Sequence, residues 1–260
     1  SKDIEASKWE VFIPAKNETM IGGLTFLKNW IIRSELNNAL DKIFVRDINS
    51  NKEEELIFTD EEVYDGSISH TQKDRNTDLI YISYSTPKTQ ARTYLYNLKT
   101  KEKKLVKEQV IPTGHDPKNY IVQRIECNSD DGRKVPLTIT RHKDTPLDGS
   151  ANLLLYGYGS YGASMSPSFS STRLSLINRN IIWVTAHIRG GMERGMKWWK
   201  EGKLLNKKNT FNDYIAAAKF LIEKKYTSKG KIIGMGGSAG GLLMGAVVNK
   251  APDLFLGMIM

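Results

Sequence analysis

A chain of 260 residues with 40% apolar and 26% charged side chains has the composition of a soluble globular protein, long enough to bury a sizeable core in one large domain or two. That balance excludes a disordered chain, and no run approaches the ~18 consecutive apolar residues of a membrane-spanning helix. The formal net charge of +9 raises nucleic acid or an anionic surface as a partner. The lysines are scattered, however, and the densest run (Lys99, Lys101, Lys103, Lys104, Lys107) is broken by Glu102 and Glu108. A solvated basic face is the simpler reading, so neither nucleic acid nor a membrane is expected as a partner.

Residues Ser1 to Glu10 lack the apolar core of a signal peptide, and with Ser1 where an initiator methionine would stand, the natural start is expected upstream. Cys127 is the single cysteine, so the sequence predicts neither an internal disulfide nor a cysteine-based zinc site. A reducing cytoplasm is the expected compartment, and nothing calls for a metal or cofactor.

Up to about residue 110, short alternating runs between polar turns predict strands at Gly23–Leu27, Trp30–Glu35, Lys42–Ile48, Glu55–Thr59, Leu79–Ser85, Thr93–Leu98 and Lys104–Lys107. A weak repeat has an offset of 50: Trp30-Ile31-Ile32 aligns with Ile80-Tyr81-Ile82, and Phe44–Ile48 with Tyr94–Leu98. Four short strands at that period predict propeller blades. Two blades cannot close a propeller, because each buries its faces against neighbours, so further blades are expected.

The breaker cluster Pro112-Thr113-Gly114-His115-Asp116-Pro117 is the predicted boundary, dividing 1–112 from 113–260. Beyond it, Ile121–Cys127 and Val135–Thr140 predict a hairpin around Asp130-Asp131-Gly132. Three nearly wholly apolar runs, Asn152–Tyr156, Ile181–Ala186 and Lys231–Met235, alternate with helical segments, the pattern of a buried parallel sheet. A helix is expected over Phe211–Lys224, capped by Thr210 with Asp213 in a capping-box-like pair. Another follows over Leu242–Asn249, with Leu242, Leu243, Ala246 and Val247 on one side and Pro252 ending it.

Between the third apolar run and that last helix lies Gly236-Gly237-Ser238-Ala239-Gly240. A bare G-x-S-x-G arises often by chance, but a buried strand, a glycine turn and a helix in that order form a nucleophile elbow. There the turn lifts the Ser238 hydroxyl above the sheet and aims the Ala239 N–H at a developing oxyanion. The run Tyr156-Gly157-Tyr158-Gly159-Ser160-Tyr161-Gly162 follows the early strand that supplies the rest of the oxyanion hole in an α/β-hydrolase. Esterases carry an HGGG-type loop there. This chain has none, and the Tyr158 hydroxyl offers a donor in its place. The alternative is a Gly/Tyr-rich turn whose rings cover the sheet end.

The stretches LLLYGYGSYGAS, HIRGGMERGMKWW, LLNKKNTFNDYIAAAKFLIEKKYTS and MGGSAGGLLMGAVVNKAPDLF, in this order, resemble the prolyl oligopeptidase family of serine peptidases. Ala239 after the serine, and Ser160-Tyr161, favour its oligopeptidase B (protease II) branch over the prolyl-specific one, where asparagine follows the serine. The resemblance implies α/β architecture, with a seven-bladed propeller covering an α/β-hydrolase domain, and hydrolysis of short peptides after Arg or Lys. On that basis Ser238 matches the nucleophile, Ala239 the backbone oxyanion donor and Tyr158 the hydroxyl donor. Tyr161 matches an aromatic near the specificity pocket of a related branch. Arg189-Gly190-Gly191 matches the loop after the third hydrolase strand, where Met192 replaces a usual glycine.

A serine nucleophile needs a histidine base held by a carboxylate, in the chain order Ser, Asp, His in this fold. After Ser238 the sequence holds one acid, Asp253, which reads as a helix-stop residue, and no histidine. His70, His115, His142 and His187 all lie upstream, and the strand-end His187 reads as a packed residue rather than the base. The terminal run Leu254–Met260 reads as a buried strand cut short. The chain is therefore expected to be part of a longer peptidase, inactive alone and able to associate with complementary segments. A non-catalytic remnant and an esterase of the same fold are the competing readings.

Overall fold

The structure is a computed structural model that describes residues 9–70 and 75–260, with His70 described by its backbone alone. Most of the segment tested for a leader, and the His70 side chain, lie outside the described residues.

Strands β1 (Thr19–Phe26), β2 (Trp30–Asn37), β3 (Leu40–Asp47) and β4 (Glu53–Glu55) form one antiparallel sheet in sequence order. Strands β5 (Asp65–His70), β6 (Leu79–Ser85), β7 (Arg92–Asn97) and β8 (Lys103–Glu108) form a second. The repeat is structural: β2 and β6 are the second strands of their sheets, β3 and β7 the third. Ile32 and Ile82, at equivalent places, are both wholly buried in the one core that the two sheets share. Each sheet covers a face of the other, the packing mode of propeller blades.

The clearest departures from expectation are at the fourth and fifth strands. The fourth strand ends at Glu55; Leu56, whose N–H still donates to the Ile43 carbonyl of β3 (2.8 Å), and Phe58, both within the predicted strand, enter the core beyond it. Asp65–His70 has a single apolar residue and no alternation to read; it is extended because β6 supplies partners along its whole length.

The second unit is a six-stranded mixed sheet. The hairpin strands β9 (Tyr120–Asn128) and β10 (Lys134–His142) are antiparallel, and β10 meets β12 (Ile182–Ala186) antiparallel. Strands β11 (Leu153–Tyr156), β12, β13 (Ile232–Met235) and β14 (Phe255–Ile259) are parallel, giving the order β14-β13-β11-β12-β10-β9. Four helices, α1 (Ser171–Ile177), α2 (Gly195–Lys200), α3 (Lys207–Glu223) and α4 (Ala239–Lys250), connect or cover the strands. Among the described residues none is long and apolar enough to cross a membrane. The terminal apolar run forms β14, which among the described residues pairs with β13 and leaves Leu256 and Ile259 exposed.

Helix α3 corrects the capping expectation. It begins at Lys207, and Thr210 and Asp213 are buried inside it. The Thr210 hydroxyl lies 2.8 Å from the Arg189 carbonyl and 3.0 Å from that of Gly202. The Asp213 carboxylate accepts from Arg189 Nη2 (2.5 Å), Arg189 Nε (2.8 Å), the Arg189 N–H (3.0 Å) and Ser129 Oγ (2.6 Å). Both side chains are taken by tertiary partners that a local reading does not contain. In α4 the buried residues are Gly240, Leu243, Met244 and Val247, while Leu242 is exposed.

Arg189 is 2% exposed and also donates to Asp131 through Nη1 (2.5 Å). Burial opposes its charge, but the hydrogen bonds it donates to Asp213 and Asp131 raise its pKa, so the guanidinium stays ionised. This pair ties the loop after β12 to α3 and to the β9–β10 hairpin.

The first sheet meets the second unit at the β2–β3 turn. The Ala39 N–H donates to the Glu193 carbonyl (2.8 Å), and Arg124 Nη2 donates to the Ala39 carbonyl (2.7 Å). The Glu193 side chain is buried: Oε1 accepts from the Met165 N–H (3.1 Å), and Oε2 has no hydrogen-bond partner among the described residues. Burial pushes its carboxyl up to about 7, against the opposing pull of backbone hydrogen bonds and of Arg124.

Two stability predictions follow from these groups. Arg189→Met leaves Asp213 charged and unpaired in the core, with an expected loss of about 3–5 kcal/mol in urea unfolding, and adding Asp213→Leu recovers part of it. Glu193 binds its proton more tightly folded than unfolded. Its neutral form therefore stabilises the fold below the usual carboxyl pKa, and that stability is lost as pH rises through about 7. Glu193→Gln is thus expected to match the parent near pH 4 and to exceed it by up to roughly 3 kcal/mol at pH 8 in paired urea titrations.

Candidate active site

Strand β13 ends at Met235, and α4 begins at Ala239, so the turn between them must reverse direction in three residues. Ser238 takes φ 55° and ψ −119°, a conformation rare for any residue with a side chain. Its side chain caps no helical N–H, and the residue is exposed. Ala239 is the first helical residue, where an N–H has no partner within the helix.

Space, not only conformation, sets which glycines the turn needs. A Cβ on Gly236 would lie 2.8 Å from the carbonyl oxygens of both Gly157 and Gly240, and one on Gly240 would lie 3.2 Å from the Gly157 oxygen. Gly237 would meet nothing within 4 Å. The close approach is thus between the elbow and the end of β11: it excludes a side chain at Gly236 and crowds one at Gly240, the two glycines of the G-x-S-x-G frame, and leaves Gly237 unconstrained by space.

The same contact brings Tyr158 to the elbow. The Gly157 N–H donates to the Met235 carbonyl (3.1 Å), which fixes the last residue before Tyr158. The Tyr158 ring lies against Gly240, with Cδ2 3.6 Å from a Cβ placed there. Ser238 and Ala239 thus follow the carboxyl end of β13, and Tyr158 that of its neighbour β11, where ligands bind in parallel α/β sheets. Tyr161 is 82% exposed at φ 56°, on the outer bend of the same loop.

The Arg189 loop braces that bend from below. The Gly162 N–H donates to the Gly190 carbonyl (2.9 Å), and a Cβ on Gly190 would fall 2.0 Å from the Gly159 oxygen. Met192 does not disturb this arrangement, because its side chain packs into the space that Gly162 leaves without a Cβ. A further side chain joins from α3: Lys207 Nζ donates to the Gly159 carbonyl (2.6 Å) and to Ser160 Oγ (2.8 Å), and burial lowers its pKa. No sequence pattern singles out Lys207, since Asn206-Lys207-Lys208-Asn209 looks like a solvated stretch.

Among the described residues, no histidine side chain is brought to Ser238. His187 is fully buried, with Nε2 2.8 Å from Thr138 Oγ1 of β10 on the far side of β12. Burial first, and the charge of Arg124 second, push its pKa well below the ordinary value, so the ring is neutral and enclosed. Two strand spacings, about 10 Å, separate β12 from β13. His115 Nε2 contacts the Lys88 carbonyl (2.6 Å), and its ring stacks on Tyr120. His142 pairs with Asp144. Asp253 is exposed and paired with Lys229 (3.0 Å) just before β14, away from the elbow. Among the described residues no cluster of His, Cys, Asp or Glu is placed to hold a metal.

Comparison with known proteins gives this geometry a family. Residues 1–109 match the prolyl oligopeptidase N-terminal β-propeller domain, and residues 167–260 match the prolyl oligopeptidase family domain. Dipeptidyl aminopeptidase BI of Pseudoxanthomonas mexicana is 39% identical over 95% of the chain and 34% of its own length. Protease 2 of Moraxella lacunata is 43% identical over 75% of the chain and 28% of its own. The solved structure of oligopeptidase B from Trypanosoma brucei with covalently bound antipain superposes with a TM-score of 0.87 at 33% identity, covering 95% of this chain and 36% of that one. The chain thus spans about a third of the length of these relatives. Blade-like sheets, an elbow serine above a mixed sheet and two matched domains identify it as a member of the prolyl oligopeptidase family of serine peptidases.

Proposed function

We propose that this chain carries the nucleophile and oxyanion elements of a serine oligopeptidase that cleaves short peptides after Arg or Lys. Residues 1–112 form its propeller part and residues 113–260 the start of its hydrolase domain. The observation that carries the reading is Ser238: exposed, strained at φ 55°, and followed by an N–H with no helical partner. In the reaction its hydroxyl attacks the scissile carbonyl, and the Ala239 N–H and Tyr158 hydroxyl receive the oxyanion. Tyr161 stands where a substrate side chain would pass. The preference for a basic residue rests on Ala239 and Ser160-Tyr161, and on similarity to oligopeptidase B.

The general base and its acid come from outside these 260 residues. His187 is enclosed against β10, and the other described histidines are engaged elsewhere. Loss of a triad histidine costs on the order of 10⁶ in kcat, so the isolated chain is expected to show no measurable peptide turnover. Robust turnover by the purified 260-residue chain would place the base within it.

In the full-length protein, fluorophosphonate is expected to label Ser238, and Ser238→Ala to abolish both labelling and cleavage of Arg- or Lys-containing peptides. Cleavage that survives Ser238→Ala removes the proposal. Faster cleavage after proline than after arginine removes its specificity part.

A further inference from the structure

We propose that Lys207 is a positioning residue for the oxyanion group, its ammonium fixing the loop that holds Tyr158 beside Ser238. The inference rests on Tyr158 acting as the hydroxyl donor.

The loop has little regular structure of its own. Gly159, Tyr161 and Gly162 all have positive φ (64°, 56° and 70°), so no ladder or helix supplies their hydrogen bonds. Its entry is fixed by the Gly157 contact with β13, and its exit by the Gly162–Gly190 bond. Between them the Gly159 carbonyl, one residue beyond Tyr158, accepts from no backbone N–H among the described residues; its partner is Lys207 Nζ at 2.6 Å. The same ammonium reaches Ser160 Oγ at 2.8 Å, so one cation spans two consecutive loop residues. Such charge-assisted bonds are roughly twice as strong as neutral ones.

Lys207 is also an unfavourable residue for its place. It opens a 17-residue helix, where the macrodipole disfavours a cation, and it is partly buried. Stability alone favours an acidic or small polar residue there. Its anchor is rigid, because α3 is held one turn further on by Thr210 and Asp213 against the Arg189 loop. The line of support therefore runs from the buried Arg189–Asp213 pair through α3 and Lys207 to the residue after Tyr158.

A residue acting through Tyr158 affects the transition state more than substrate binding, and only while the Tyr158 hydroxyl is present. In the full-length protein Lys207→Met is expected to lower kcat about 10- to 100-fold with KM within about threefold, and Lys207→Arg to restore most of it. In a Tyr158→Phe background, adding Lys207→Met is expected to cost no more than about twofold. A loss undiminished in that background, or a change in KM alone, overturns the inference. Should Lys207→Met fail to fold, Ser160→Ala removes one of the two acceptors and is expected to lower kcat by a smaller factor that also vanishes with Tyr158→Phe; an unchanged kcat overturns the inference. A parent that neither labels at Ser238 nor cleaves peptides overturns the peptidase reading itself. An active parent indifferent to Lys207→Met overturns only the role of Lys207.

Discussion

Ser238 holds a backbone conformation that costs of order 1–3 kcal/mol relative to ordinary regions, and such a residue persists only where its surroundings over-determine it. Here the determining contact is the wedge of the Gly157 carbonyl against Gly236 and Gly240. The strand before the elbow is pinned by four registered pairs with β11, the helix after it is packed through Leu243, Met244 and Val247, and the turn between them has no room to relax. Strain and exposure are thus one fact: the backbone that cannot relax also holds the hydroxyl away from the sheet. Because the wedge uses the residue immediately before Tyr158, the contact that strains the serine also sets the Tyr158 ring against Gly240 of the elbow.

The remaining supports are arranged around that wedge. Buried Arg189 donates to two carboxylates from different elements, which makes the loop after β12 a rigid shelf rather than a mobile connection. Gly190 rests on Gly159, and Met192 fills the hollow of Gly162, so the shelf meets the Tyr158 loop by close backbone packing. Tyr214 reaches the same region from α3, its buried hydroxyl donating to the Leu155 carbonyl at 2.5 Å. Each partner is distant in sequence, and the first sheet joins through Ala39 and Glu193, which is how a turn between two blade strands becomes coupled to the hydrolase loops.

Local pattern and long-range pairing divide what the sequence reveals. The apolar runs of β11, β12 and β13 and the glycine frame around Ser238 are legible because each depends on residues adjacent in the chain, and the offset-50 repeat because each copy is itself a local pattern. The cap on α3 misleads: Thr210 and Asp213 have the spacing of a capping pair, but both are claimed by the Arg189 loop more than twenty residues upstream. Strand β5 is illegible because its six residues carry one apolar side chain and owe their extension to β6. Lys207 is hidden for a related reason, since a lysine beside a second lysine gives no sign that one of them turns inward.

The same division separates the presentation of a serine from the placement of a base beside it. Presenting Ser238 needs only a strand, a turn and a helix in succession, plus the neighbouring strand end that wedges them, and all of these lie within residues 153–250. Proton transfer needs an imidazole at hydrogen-bond distance from a single oxygen, a requirement on side-chain placement that no backbone rule supplies. His187 illustrates the difference. It ends a strand on the correct edge of the sheet, yet Thr138 and the closed packing around it make it a neutral structural ring. Position along the sheet makes a residue a candidate, and the direction its side chain faces decides its chemistry.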